Sequence, residues 1–154
     1  MTRVFFYDSD IGKIGIAEDE GAITNIFFEK EEAVNLEVLE TPLIKEAYKQ
    51  LDEYFKGKRK TFDLPIYASG TEFQQKVWNA LLDIPYGVTK SYKDIAVAVG
   101  NEKACRAVGM ANNRNPVSII IPCHRVIGKS GKLIGYGGGI PIKEYLLKLE
   151  KDNV

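Results

Sequence analysis

The residues most suited to chemistry stand in the segment IIIPCHRVIG, residues 119–128. Cys123, one of two cysteines, lies beside His124, the only histidine in the 154 residues. A thiol with a pKa near ~8.5 is scarcely ionised at neutral pH, and a nearby imidazole can take up its proton. Adjacent residues of a strand point to opposite sides, so proton transfer requires a tight turn or a bridging water. The pair predicts an activated thiol; a structural cysteine beside a surface histidine is the alternative.

The residues around this pair favour the activated thiol. The apolar run ending in Pro122 predicts a rigid, buried approach that opens just at the thiol. His124 needs an acceptor on its far nitrogen to fix its tautomer, and Glu150 is one candidate. The segment 128–139 contains six glycines, whose backbone amides can approach a planar ligand. One histidine and two cysteines do not make a closed zinc site, so we expect no metal and no cofactor.

Two regions of different character must position these residues. Residues 1–68 show short alternating strands and one helix opening at Thr41-Pro42, which predicts a small antiparallel-sheet-plus-helix domain. After a boundary at Pro65 to Gly70, residues 69–154 are mostly helical. The fold class is therefore α+β, with a winged-helix-like helix-turn-helix in the C-terminal domain. Capping boxes at Ser69/Glu72 or Thr71/Gln74, and at Ser91/Asp94, mark helix starts.

The helix-turn-helix is predicted from two short helices around Gly100. Helices over 92–99 and about 102–112 flank this glycine, which is typical of the motif. The second helix carries Lys103 and Arg106 among small side chains, so a long arginine would act alone as a probe on a smooth surface. Ordinary close packing of two helices is the alternative interpretation.

Charge is distributed unevenly along a chain whose net charge is zero. Residues 1–70 carry nine basic and 14 acidic side chains, a net of −5, whereas residues 89–132 carry eight and two, a net of +6. The basic part predicts an anionic partner, with a solvated face as the alternative. We find no apolar stretch of membrane-spanning length and no signal peptide, and we expect a reduced, cytoplasmic monomer.

The sequence from Phe73 to Glu150 resembles that of the O6-alkylguanine-DNA alkyltransferases. The active-site signature is NPVSIIIPCHRVIGKSGKLIGYGGG with PCHRVI as its core, preceded by FQQKVWNALLDIPYGVTKSYKDIA and KACRAVGMANNRNP. The resemblance implies direct-reversal DNA repair: the base flips out of duplex DNA, and the alkyl group of O6-alkylguanine or O4-alkylthymine moves irreversibly to the protein. It implies a single-turnover methyltransferase that approaches double-stranded DNA from the minor groove.

The resemblance also assigns roles to residues. Cys123 is the alkyl acceptor, His124 the base acting through a water, Glu150 the carboxylate that orients it, and Asn115 the hinge. Tyr92 lies near the DNA backbone and base pocket, and Arg106 enters the stack. Backbone carbonyls of Cys123 and Val126 accept from the exocyclic amine of the base. The remaining expected DNA or base contacts are Lys103, Arg114, Ser118, Arg125, Tyr136 and Gly137.

Two departures and two rival functions bear on this interpretation. Ser118 replaces a proline of some relatives, and residues 1–104 lack the Cys and His that bind structural zinc in others.

A Cys-His hydrolase would turn over many times and need an oxyanion hole. A non-catalytic regulator built on the helix-turn-helix would function without Cys123.

Overall fold

The computed structural model describes residues 1–28, 33, 35–128, 131, 133, 136 and 138–154. The chain folds as two compact units, Met1–Ala68 and Ser69–Val154. None of the helices within these described residues is both long and apolar enough to span a bilayer.

The first unit contains a four-stranded sheet in the order β3-β2-β1-β4. Strands β1 (Arg3–Ser9), β2 (Gly12–Asp19) and β3 (Ala22–Phe27) form the antiparallel meander that the sequence predicts. The two-residue strand β4 (Glu37–Val38) pairs in parallel with β1 and was not expected, because two residues show no alternation.

Helix α1 (Pro42–Phe55) packs against this sheet. Thr41 caps it as predicted, since its hydroxyl accepts from the amide of Ile44 at 3.1 Å, and Pro42 needs no amide partner in the first turn. One face of the helix is buried and completes the core of this unit; its residues are Ile44, Ala47, Gln50, Leu51, Tyr54 and Phe55.

The second unit is mostly helical and carries the predicted site residues. Its elements are α2 (Glu72–Leu82), β5 (Lys90–Ser91), α3 (Tyr92–Ala98), α4 (Cys105–Asn113), a 3₁₀ turn (Cys123–Arg125), β6 (Val126–Ile127) and α5 (Ile140–Asp152). Strands β5 and β6 pair in parallel, with Lys90 opposite Val126. This pairing holds the end of the 3₁₀ turn beside the start of α3, and local sequence patterns did not predict it.

Local signals explain where α2 and α3 begin and end. Thr71 and Gln74 form a capping box at α2, and Ser91 and Asp94 form another at α3. Gly100 follows α3 with φ +88°, the left-handed conformation expected of a glycine at a helix end.

The predicted start of the second helix-turn-helix helix at residue 102 is wrong, because α4 begins at Cys105. Asn101 accepts the amide of Lys103 on its side chain at 3.2 Å and the amide of Ala104 on its carbonyl at 3.0 Å. These bonds hold residues 101–104 as a turn, so Lys103 precedes the helix.

Trp78, the only tryptophan of the chain, joins α2 to α4. Its ring is 2% exposed, and Nε1 donates to the carbonyl of Ala111 at 2.9 Å. Val108 and Ala111 lie on the same buried side of α4. The opposite side of the helix is left to solvent.

Candidate active site

The chain makes the turn at Cys123 that the dipeptide requires. The amide of Cys123 donates to the carbonyl of Ile121 at 2.8 Å, and the amide of Arg125 donates to that of Pro122 at 3.0 Å. A 3₁₀ turn has three residues per turn, so the side chains of neighbouring residues differ in direction by about 120°. The opposed geometry of an extended strand is thereby avoided.

The approach to this turn is buried and held by Asn115. Its Nδ2 donates to the carbonyl of Ile121 at 2.8 Å, and its Oδ1 accepts from the amide of Val117 at 3.0 Å. Between these contacts Ile119 is 1% exposed and has φ +74°. The left-handed region costs a β-branched residue on the order of 1–3 kcal/mol, so the surrounding bonds must hold the segment in this shape.

His124 is paired with Glu150 on α5. Nε2 lies 2.6 Å from Oε2, and the two side chains are 0% and 1% exposed. A carboxylate can only accept, so Nε2 carries the proton of the neutral ring and Nδ1 keeps the basic lone pair. This tautomer suits Nδ1 to receiving a proton.

Arg125, for which a DNA or base contact was predicted, also binds Glu150. Nε donates to Oε1 at 2.8 Å and Nη2 to Oε2 at 3.0 Å, while Nη1 donates to the carbonyl of Ile84 at 2.7 Å. Only 7% of the residue is exposed. The amide of Gly87 donates to Oε1 at 3.1 Å, so both oxygens of Glu150 are fixed.

Burial dominates the electrostatics of the reacting pair. It raises the pKa of the Cys123 thiol above 9.0, whereas hydrogen bonds from Asn115 and Ser118 and the positive charge of Lys143 act to lower it. Burial also lowers the pKa of His124 below 6.5; Glu150 opposes this shift, and Arg125 adds to it. The resting pair is therefore a neutral thiol and a neutral imidazole.

Sequence reasoning missed two polar side chains in the site. Lys143 is 0% exposed, and its Nζ donates to the carbonyl of Val126 at 2.6 Å. Asn112, 1% exposed, donates from Nδ2 to the carbonyl of Cys123 at 3.3 Å. These are the two carbonyls expected to read the base, and that of Cys123 also accepts from the backbone amide of Val126. Neither residue showed a signal, because helix periodicity does not reveal which polar side chains face inward.

The buried run does not open at the thiol as expected, since Cys123 is only 2% exposed. Tyr92 and Tyr136 lie close enough to Cys123 to interact with it electrostatically. Burial is the main cause of the raised pKa of each tyrosine, and negative charge on Cys123 raises that pKa further. Ser118 is buried and its hydroxyl lies 3.5 Å from the carbonyl of Asn115. Gly137 lies outside the described residues.

The exposed side of α4 is less smooth than the sequence predicted. Arg106 and Arg114 are exposed, as is Lys103 in the preceding turn. Met110 is also 58% exposed on this side, so Arg106 is not the only long side chain projecting from the helix. The helix surface around Arg106 therefore carries more large side chains than expected.

Two family models match nearly the whole chain. Residues 72–152 match the DNA binding domain of 6-O-methylguanine DNA methyltransferase, and residues 3–68 match its ribonuclease-like domain. This chain belongs to the 6-O-methylguanine DNA methyltransferase family. Cys123, His124 and Glu150 all fall within the segment that matches the DNA binding domain.

Relatives across bacteria and archaea agree with this membership. The chain is 49% identical to a methylated-DNA–protein-cysteine methyltransferase of Methanosarcina barkeri, over 97% of this chain and 99% of the relative. It is 52% identical to the constitutive enzyme of that name from Bacillus subtilis, over 94% and 92%. The crystal structure of Mycobacterium tuberculosis OGT in complex with DNA matches with TM-score 0.90 and 46% identity, over 99% of this chain and 94% of that one.

Proposed function

We propose that this protein is a methylated-DNA–protein-cysteine methyltransferase that repairs O6-alkylguanine in DNA by moving the alkyl group to Cys123. Family membership over both units supports the activity. The 2.6 Å contact between His124 and Glu150, immediately after the cysteine, is the observation that carries the assignment of the reacting residues.

The proposed chemistry begins with ionisation of the thiol. The Cys123 proton passes to Nδ1 of His124 through a water, because Nε2 is committed to Glu150. Glu150 stabilises the imidazolium that forms, while Asn115, Ser118 and Lys143 stabilise the thiolate. Burial keeps both groups neutral until a substrate is present.

Alkyl transfer is then a single displacement. The thiolate forms a bond to the alkyl carbon as the bond from that carbon to O6 breaks. The electron pair remains on the purine, and the proton first taken from the thiol ends on the released guanine. The thioether product does not hydrolyse readily, so each protein molecule acts once. O4-alkylthymine offers the same bond and is proposed as a second substrate.

DNA recognition is assigned to the exposed side of α4 and its surroundings. A base inside a duplex must be extruded at a cost of a few kcal/mol, and a side chain filling the gap lowers that cost. We assign this role to Arg106, with approach from the minor groove. Lys103 and Arg114 contact phosphates, which position the protein without reading sequence.

The base pocket is assigned to residues around the sulfur. The alkylated base is surrounded by Tyr92, Ser118 and Tyr136 and by the backbone carbonyls of Cys123 and Val126. The thiol is buried, so we propose that side chains over the sulfur move aside when the base enters. We further propose that the protein works as a monomer on DNA in the cytoplasm.

Intact-mass measurement tests the proposed function. Incubation with duplex DNA containing O6-methylguanine should add one methylene per protein molecule, on the peptide that holds Cys123, and the gain should persist. Cys123→Ser should show no gain. Repeated turnover without a lasting mass change would instead favour a Cys-His hydrolase, and unaltered function of Cys123→Ser would favour a DNA-binding regulator.

A further inference from the structure

The exposed side of α4 carries an apolar side chain between two cations. Arg106 and Met110 are four residues apart on α4, and Arg114 follows four residues later as the C-cap residue of the helix. All three are exposed, whereas Val108 and Ala111 on the opposite side are buried. Met110 therefore stands in the middle of a row otherwise suited to an anionic partner.

More than half of the Met110 side chain is open to solvent. At 58% it is among the most exposed large apolar side chains of the described residues, as is Val97 on α3 at 56%. Ala107 and Gly109 beside it are too small to cover it. Burying such a side chain in a partner would remove considerable apolar surface from water, which favours binding.

A single exposed apolar residue is common on protein surfaces and by itself indicates nothing. The position of Met110 is what distinguishes it, because the flanking arginines complement the charge of a phosphate backbone. Methionine is unbranched and polarizable, and it adapts to irregular contacts. Proteins that bend DNA through the minor groove insert apolar wedges, methionine among them, between base steps.

We propose that Met110 is a second probe of the duplex, an apolar wedge that contacts the minor groove beside the gap filled by Arg106. This inference rests on the proposed function. Side chains four residues apart on a helix are separated by about 6 Å, and successive bases of a strand by about 3.4 Å. Met110 thus reaches a step about two base pairs from Arg106 and holds the duplex bent while the damaged base is extruded.

Three substitutions separate apolar contact from mere occupancy. Met110→Ala removes the wedge, Met110→Gln replaces it with a polar side chain of similar length, and Met110→Leu keeps it apolar. Transfer rates are measured on duplex DNA with one O6-methylguanine and on free O6-benzylguanine. Leu82→Ala, which removes an apolar side chain 46% exposed on α2, serves as the matched control.

We expect the Ala and Gln variants to react roughly three- to tenfold more slowly with duplex DNA, from the loss of one apolar contact. Their rates with the free base should equal that of the wild type. Met110→Leu and Leu82→Ala should match the wild type on both substrates. Equal slowing on duplex and free base, or no slowing on duplex, overturns the inference.

Duplex bending gives an independent readout. Energy transfer between dyes at the two ends of the duplex should rise on binding of the wild type and rise less with Met110→Gln. Equal bending by both proteins overturns the wedge even if wild-type transfer is normal. Failure of the wild type to gain a methylene would instead refute the proposed function, so the two results are distinguishable.

Discussion

Two regions of the C-terminal unit hold their charges in opposite ways. The carboxylate of Glu150 accepts hydrogen bonds from His124, Arg125 and the amide of Gly87. The side chains of Glu150, His124 and Arg125 are each less than 10% exposed. On the exposed side of α4, no ion pair joins Arg106 or Arg114 to any part of the chain that the structure describes. One set of charges is satisfied within the protein, and the other is available to a partner.

The difference reflects what each region has to do. A proton relay requires one protonation pattern and one tautomer, which buried hydrogen bonds enforce at the cost of desolvation. A surface that meets phosphates must keep its cations solvated until DNA displaces their counterions. Substitutions in the two regions should therefore fail in different ways, by loss of stability in the first and by loss of duplex recognition in the second.

The largest effect is expected from Glu150→Gln. The substitution keeps the shape of the side chain but leaves the guanidinium of Arg125 buried without its counter-charge, which costs about 3–5 kcal/mol. Urea denaturation should show this decrease in the free energy of unfolding. Glu144→Gln, at an exposed position of the same helix, should leave it unchanged.

A double variant sharpens this result. In Arg125→Met/Glu150→Gln the unpaired buried charge is gone, so the loss of stability should be smaller than the sum of the two single losses. Simple additivity would show that the pair is not coupled, and the contrast between the two regions would then fail.

Arg106→Ala should act on recognition alone. Without a side chain to fill the gap left by the base, transfer from duplex DNA should slow roughly 10- to 100-fold. The rate with free O6-benzylguanine and the urea midpoint should not change. Lys148→Ala, which removes an exposed cation from α5, is the matched control. Equal slowing on both substrates would remove the assignment of Arg106 to base extrusion.

The smallest and most gradual effect concerns pH. The pKa of folded His124 lies below 6.5, so on acidification the unfolded chain takes up a proton first and stability falls below about pH 6.5. The pKa of folded Cys123 lies above 9.0, so the unfolded chain loses its proton first and stability falls above about pH 9. Thermal unfolding from pH 5 to 10 measures both limbs.

Cys123→Ala should weaken the loss of stability above about pH 9 and leave the loss below about pH 6.5 unchanged. An unchanged alkaline limb would mean that other groups set it, and the neutral resting thiol would lose its support. The result also bears on activity, because a neutral thiol needs His124 as its base.

Capping residues and glycines in the sequence predicted much of the fold. Thr41 and Ser91 fix the starts of their helices because their hydroxyls accept hydrogen bonds from amides of the first turn. Gly100 ends α3 because glycine tolerates positive φ. The start of α4 was misplaced because no side chain caps Ala104, so the sequence contained no start signal at that point. The pairing of β5 with β6 depends on distant residues, and such short strands show no periodicity.

The site divides in the same way. Cys123 and His124 were found because their chemistry is distinctive at any position. Arg125 was predicted to contact DNA or the base, because an arginine in a basic segment looks the same whether its partner is DNA or a buried carboxylate. Lys143 and Asn112 were missed for a related reason: only the packed structure reveals which polar residues bind the backbone around Cys123.

The bond from Trp78 to Ala111 gives the protein a natural optical reporter. As the sole indole, Trp78 dominates the intrinsic fluorescence, and its Nε1 is bonded to the helix whose outer side is proposed to meet DNA. A shift of the last turn of α4 would break that bond and change the polarity around the ring. Stopped-flow emission can thus follow engagement and alkylation in real time on unlabelled protein.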